Sequence, residues 1–392
     1  MGIDLRNFIS EDDIEQAILQ KLEADPLCYD IVRCDASPDK REVLPDGTGR
    51  GNKKMCVLLQ VLRDALARLN PGIPGEKLLE IEWEICRDYS ALDMTATNNK
   101  HYNRIRNGIQ IPVRRNGKDD FDFVRLVDYD DPGNNTFTAV SQMWIQGRVY
   151  WCRPDVLIFV NGLPMVFIEL KNSIVMVEEA YNDNLKNYLR DIPNLFAFNQ
   201  ICVLSNGLET RLGAFNATYN HFFEWLKVDS EKERPDRKAI KEAGTIGEGS
   251  VRYFVDGFLR KDRLVDYIEN FIMFRNQKDK IIAKNHQYFG VNNLMESVKN
   301  RTELKGKLGV FWHTQGSGKS YSMVFFARKV RRKIPGNFTF LIITDLEDLD
   351  KQIKKNFEKT GVIGTKEECQ PKNGRQLREF LQTNKSFIFT LI

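Results

Sequence analysis

Residues 153–173 read RPDVLIFVNGLPMVFIELKNS, and they constrain the fold more than any other stretch. Five apolar residues run from Val156 to Val160, and a second apolar run from Met165 to Leu170 carries Glu169 and is closed by Lys171. Asn161-Gly162 between them is a strong hairpin-turn signal. Both runs are apolar on both faces, which predicts two strands buried inside a sheet. Three charges sit at the open end of this ribbon: Asp155, Glu169 and Lys171. Buried charges are costly unless paired or bound to a metal. A hairpin brings Asp155 and Glu169 together, and Glu169 and Lys171, two residues apart, share a face. Register supplies a test. A strict two-residue turn pairs Asp155 with Ile168 and turns Glu169 away. A three-residue connection or a bulge, for which Gly162 and Pro164 are suited, pairs Asp155 with Glu169, and a shared metal requires that second arrangement.

Two carboxylates suit a hard cation such as Mg²⁺, which polarises a phosphodiester and acidifies its bound water. The Lys171 ammonium can orient that water or stabilise charge in the transition state. The expected chemistry is metal-assisted phosphodiester hydrolysis, and the pattern resembles the PD-(D/E)xK nuclease motif. The bland alternative is a hairpin with a charged rim.

A chain of 392 residues predicts two or three domains. Its 58 basic and 54 acidic residues leave a net charge of +4, too mild to imply a nucleic-acid partner unless the basic residues cluster. No apolar run is long enough to cross a bilayer, and no secretory signal precedes Ser10. The seven cysteines form no CxxC pair, so free thiols in a reducing, cytoplasmic compartment are expected. Four scattered histidines argue against a zinc cluster.

In chain order, Ser10 to Asp13 reads as a helix start, followed by the stripe Ile14, Ala17, Ile18, Leu22. Glu15 flanks the stripe, as a solvated residue or as a third acid facing the metal. Residues 36–55 read as a loop, and Cys56–Leu69 and Glu76–Arg87 as helices. Asn98–Asn107 is polar and basic with one tyrosine, and reads either as a contact to a phosphate backbone or as a polar loop before a strand. Strand-like runs follow at 109–113, 121–127 and 136–144. Beyond the hairpin come a helix from Glu178 to Arg190, with Tyr181, Leu185 and Tyr188 on one face, and a strand from Gln200 to Leu204. This order predicts an α/β core with a mixed sheet. Residues 228–250 read as an exposed excursion and Leu264–Phe274 as an amphipathic helix. The expected boundary lies near residue 260, giving domains 1–260 and 261–392.

The second part carries HTQGSGKS, residues 313–320, between an expected strand, Leu308–Trp312, and an expected helix, Tyr321–Lys329. That is the setting of a phosphate-binding loop. Thr314, Gly316, Ser317 and Gly318 would offer backbone N–H groups to phosphates at a helix N-terminus. Lys319 would reach the β and γ phosphates of ATP, and Ser320 would bind Mg²⁺. The usual first glycine is His313. Upstream, Gln287 in IIAKNHQYF can pair with an adenine edge. Downstream, the expected strand Phe338–Thr344 ends in Thr344-Asp345, a usual place for ligand contacts. No second acidic ATPase motif follows, so the chain is expected to bind nucleotide weakly and to turn none over. This predicts a truncated RecA-like parallel α/β domain.

Together these blocks resemble the R (motor and nuclease) subunit of type I restriction endonucleases. RPDVLIFVNGLPMVFIELKN is similar to that family's nuclease block, and NNTFTAVSQMW, DIPNLFAFNQ, HQYF, HTQGSGKS and TDLEDLDKQ occur in family order. The resemblance implies cleavage of double-stranded DNA after ATP-driven translocation, in a bacterial or archaeal complex with specificity and methyltransferase subunits. It implies catalytic roles for Asp155, Glu169 and Lys171, with Glu15 as a helical metal-site acid. It also implies a nucleotide site at Gln287, Gly316, Gly318, Lys319 and Ser320, and strand contacts through Thr344 and Asp345. The family's Gln-x-x-x-Tyr motif reads Asn184 to Tyr188 here, and the Arg usual after Thr-Asp is Leu346. Two rival readings remain: a P-loop ATPase whose nuclease-like block is a degenerate scaffold, and a non-enzymatic nucleic-acid-binding module.

Overall fold

The computed structural model describes residues 8–89, 91–115, 117–242, 249–365 and 368–392. It divides into two compact units, Met1–Glu269 and Asn270–Ile392. The division falls at 269/270, at the last residue of a helix, Lys261–Asn270, rather than near 260.

The first unit is built on a seven-stranded mixed sheet. In spatial order its strands are β1 (Asp30–Arg33), β2 (Phe137–Ser141), β3 (Val156–Val160), β4 (Leu163–Leu170), β5 (Ile201–Ser205), β6 (Thr210–Gly213) and β7 (Phe223–Glu224). β1 pairs parallel with β2, and β4 with β5, while the other neighbours are antiparallel. β3 and β4 are buried along their whole length, as their two-sided apolar composition requires.

Helix α1 (Glu11–Glu23) starts where Ser10 and Asp13 exchange side-chain and backbone hydrogen bonds at 3.0 and 3.1 Å. Its stripe Ile14, Ile18 and Leu22 is fully buried. Helix α2 is composite: Val177–Glu179, a π-helical stretch Ala180–Leu185, then Lys186–Asp191. Its Ala180 and Leu185 pack with Leu157, Phe159 and Phe167 of the central hairpin. A π-helical stretch shifts the helix face and commonly marks a functional position.

The turn of the hairpin is tight. Val160 pairs with Leu163 across Asn161-Gly162, both of which have positive φ. Gly162 accepts a hydrogen bond from the Leu58 N–H at 2.9 Å, and a Cβ there would stand 2.6 Å from the Leu58 carbonyl. Only glycine meets both demands.

Several expectations change. Residues 94–107 form a helix, Met94–Asn107, rather than a loop. Its Thr97, Asn98 and His101 face inward: the buried Asn98 amide donates to the Phe196 and Asn199 carbonyls at 2.8 and 2.7 Å, an override of local propensity by tertiary bonding. The helix expected at 264–274 is Lys261–Asn270, and Ile272–Arg275 that follows is a strand. The excursion at 228–250 contains a short helix, Arg237–Glu242, and ends at the buried start of another, Ser250–Phe258; residues 243–248 lie outside the described residues.

In the second unit, α3 (Asn285–Lys299) and α4 (Lys319–Lys333) pack together, and β8 (Phe340–Thr344) pairs parallel with β9 (Phe387–Leu391). Helix α5 (Glu347–Lys359) follows β8. The strand expected at Leu308–Trp312 is not formed. Phe311 packs against Gly290, while Val310 and Trp312 are 92% and 77% exposed. The in–out alternation of a strand is present, but among the described residues no neighbouring strand supplies a hydrogen-bond ladder.

The tip of the hairpin makes the first test. Gly162→Ala forces a side chain into a left-handed conformation against the Leu58 carbonyl, and is expected to lower stability by about 1–3 kcal/mol in urea unfolding. Wild-type stability in that variant would contradict the close approach.

Candidate active site

The register of β3 and β4 decides whether the acids meet. Phe159 pairs with Pro164, but Ile158 pairs with Val166, so Met165 is an extra residue bulged out of β4. Beyond it Val156 faces Ile168, which carries Asp155 opposite Glu169. The connection is thus a two-residue turn, and the bulge restores the register that the turn alone would lose. Alternation puts Asp155 and Glu169 on the face of Leu157 and Phe167, the face that packs with α2.

Five charged groups gather at this end of the hairpin. Asp155 Oδ2 accepts the backbone N–H of Leu170 at 2.7 Å. Glu169 is 2% exposed, and the Lys171 ammonium lies 3.7 Å from its Oε1 and 3.9 Å from Glu11. Glu15, on α1, is 5% exposed. It reaches Asp155 through a residue that the sequence reading left unassigned: Gln142, whose amide nitrogen donates to Glu15 Oε2 and lies 3.4 Å from Asp155 Oδ1. The signal for it was present as a polar residue closing the apolar run TFTAVS.

The electrostatics follow from burial. Desolvation pushes the Glu15 carboxyl up to about 7 and that of Asp155 up to about 6. Glu169 is raised well above the ordinary carboxylate range, first by burial and then by the charge of Asp155. Lys171 opposes these shifts at Asp155 and Glu169 without cancelling them.

Do these residues fit a divalent ion? Among the described residues no three acids, histidines or cysteines close around one point, and the Gln142 amide lies between Glu15 and Asp155. Two acceptor oxygens are nonetheless buried without a donor: Glu169 Oε2 and Gln142 Oε1. Buried oxygens without donors beside clustered acids suit a hard cation, which binds oxygen and relieves the repulsion. The residues fit.

Tyr188 lies over the same face. Its ring meets Phe167 edge-on at 5.6 Å and its hydroxyl donates to the Arg153 carbonyl at 3.2 Å. Burial, then the charges of Glu169 and Asp155, push its pKa up, and Asn184 hydrogen-bonds to it one turn earlier on α2. Asn184 and Tyr188 therefore border the acids.

In the second unit the glycine-rich loop closes on itself. Lys319 Nζ donates to the His313 and Thr314 carbonyls at 2.7 and 3.3 Å. Gly316 and Gly318 have φ of +78° and +87°. A Cβ on Gly318 would lie 2.9 Å from the Gln287 amide nitrogen, which donates to the Gly318 carbonyl at 3.0 Å. Gln287 Oε1 accepts from the Lys284 N–H at 2.9 Å, so both ends of that amide are engaged. His286 donates to the Ser317 carbonyl at 3.0 Å, and the Ser317 hydroxyl is buried without a partner. Ser320 sits in the first turn of α4. Thr344 is buried, with its hydroxyl 3.5 Å from Asp350 of α5, whereas Asp345 is exposed.

Comparison with known proteins matches both regions. Residues 8–221 match the family described as the type I restriction enzyme R protein N terminus, and residues 286–392 match the SWI2/SNF2 ATPase family. The type I restriction enzyme HindI endonuclease subunit of Haemophilus influenzae is 33% identical over 390 residues, covering 96% of this chain and 35% of that protein. The SauCOLORF180P endonuclease subunit of a type I restriction enzyme in Staphylococcus aureus is 27% identical over 255 residues, covering 64% of this chain and 25% of that protein. The chain spans about a third or less of the length of these relatives. On the first match and this identity, the chain belongs to the type I restriction enzyme R protein family.

Proposed function

We propose that the first unit is a PD-(D/E)xK-type nuclease that cleaves double-stranded DNA with Mg²⁺. The second unit is then the start of a RecA-like ATP-driven DNA translocase. The whole subunit works in a complex with specificity and methyltransferase subunits, in the cytoplasm; among the described residues no helix is long and apolar enough to cross a membrane. One observation carries the nuclease reading: the bulge at Met165 aligns Asp155 with Glu169, beside Lys171 and Glu15, at a buried end of the sheet.

Each residue then has a physical task. Asp155 and Glu169, with Glu15, would hold the ion through their carboxylate oxygens. The ion, when bound, polarises the phosphodiester and supplies a water of lowered pKa. The Lys171 ammonium, held by Glu169 and Glu11, orients the attacking water and stabilises the added negative charge. Tyr188 and Asn184 border the site, where they can position a DNA strand. In the second unit, Lys319, the loop's N–H groups and Ser320 would hold the phosphates and Mg²⁺ of a nucleoside triphosphate.

In the full-length subunit assembled with its partners, Lys171→Ala is expected to slow DNA cleavage by roughly 10²- to 10³-fold, and Asp155→Ala by at least as much, with ATP hydrolysis retained. Cleavage at the wild-type rate in either variant would favour the degenerate-scaffold reading. The complementary variant, Lys319→Ala, should abolish ATP hydrolysis by the same complex; persistent turnover would remove the nucleotide assignment.

The raised acids also set a pH dependence. Folded Glu15 and Asp155 keep protons up to about 7 and about 6, where an unfolded chain has lost them. Their contribution to ion-free stability is therefore full below about pH 4 and is lost as pH rises through about 7. Ion binding must expel those protons, so the rise in Tm on adding Mg²⁺ should grow between about pH 5.5 and pH 8. A Mg²⁺ effect on Tm that is flat across that range would contradict the site.

A further inference from the structure

Gln142 is held in a conformation that a non-glycine residue rarely adopts. It follows β2 with φ of +57°, and its backbone N–H donates to the Asp155 carbonyl at 2.9 Å. A left-handed residue of this kind is strained and persists where the surroundings demand it. Here the demand is visible. The backbone fastens Gln142 to Asp155, and the side chain crosses to Glu15. Its amide nitrogen is engaged, while its carbonyl oxygen is buried with no donor, as is Glu169 Oε2.

The two ends of an amide suit opposite states of an acid cluster. Carboxylate oxygens accept hydrogen bonds, and it is the NH₂ end of Gln142 that faces Glu15 and Asp155. A divalent cation reverses the requirement, because it takes oxygen. The terminal torsion of Gln is soft, so a half-turn exchanges one end for the other. We infer that Gln142 is a further residue of the ion site: it clamps Glu15 and Asp155 apart through its NH₂ group when no ion is present, and turns its carbonyl oxygen to the ion, directly or through a water, when one binds. This rests on the proposal that Asp155 and Glu169 hold a divalent cation. It explains why a strained glutamine ends a strand that needs no polar residue there.

Calorimetric titration of Mn²⁺ into the 392-residue chain tests it, together with Tm in the absence of metal. Gln142→Asn keeps an amide and tolerates the left-handed φ at least as well, but it is one methylene shorter and cannot span to Glu15. It should fold and bind Mn²⁺ about 10- to 100-fold more weakly. Gln142→Glu keeps the length and an oxygen, so it should retain Mn²⁺ binding while losing ion-free Tm, as a fourth carboxylate meets the others. A plain hydrogen-bond strut predicts a different pattern, with stability falling in both variants and no change in Mn²⁺ affinity in Gln142→Asn. Wild-type Mn²⁺ affinity in Gln142→Asn, or lost binding in Gln142→Glu, overturns the role of Gln142 alone. Absence of Mn²⁺ binding by the wild-type chain overturns the metal site itself, and this inference with it.

Discussion

Three carboxyl groups kept from water at one end of a buried sheet are the constraint that organises the first unit. Moving an ionised carboxylate out of water costs several kcal/mol even after the surroundings relax. One lysine cannot offset three such groups, and the shifted pKa values of Glu15, Asp155 and Glu169 record the shortfall. A scaffold selected for stability alone would replace these residues with apolar ones. The arrangement is reasonable when the missing positive charge arrives from outside, as a divalent ion beside a phosphodiester.

The surrounding structure serves to hold that mismatch in place. The bulge at Met165 puts the acids in register, and the Asn161-Gly162 turn is pinned against the Leu58 backbone so that the register cannot slide. Helix α2 closes one face with Leu185 and brings Tyr188 to its edge. Helix α1 brings Glu15 from a distant part of the sequence. The second unit shows a related economy. Lys319 bonds the carbonyls of its own loop and Gln287 the Gly318 carbonyl, contacts at the surface of the loop rather than in a core.

Much of this was legible in the sequence, for identifiable reasons. The hairpin was readable because two-sided apolar runs around Asn-Gly permit few alternatives, and the charged residues were readable because their position contradicts that pattern. The start of α1 was readable from the Ser10–Asp13 spacing. Register was legible only as two options, since a one-residue bulge leaves no compositional mark beyond Gly162 and Pro164. Helix Met94–Asn107 was missed because its inward face is polar; Asn98 earns its burial from the carbonyls of residues 196 and 199, which no local pattern reveals. Leu308–Trp312 has the composition of a strand, but a strand is completed by its neighbours. Gln142 stayed unassigned because its importance lies in what it touches across the fold.

The central claim is that one divalent ion belongs between Asp155 and Glu169. Crystals of the chain soaked in Mn²⁺ and measured for anomalous scattering test it most directly. The account predicts a single strong peak bounded by the carboxylates of Asp155, Glu169 and Glu15, with the Lys171 ammonium beside it. Crystals that take up Mn²⁺ elsewhere, or not at all, with these side chains unmoved, would contradict it.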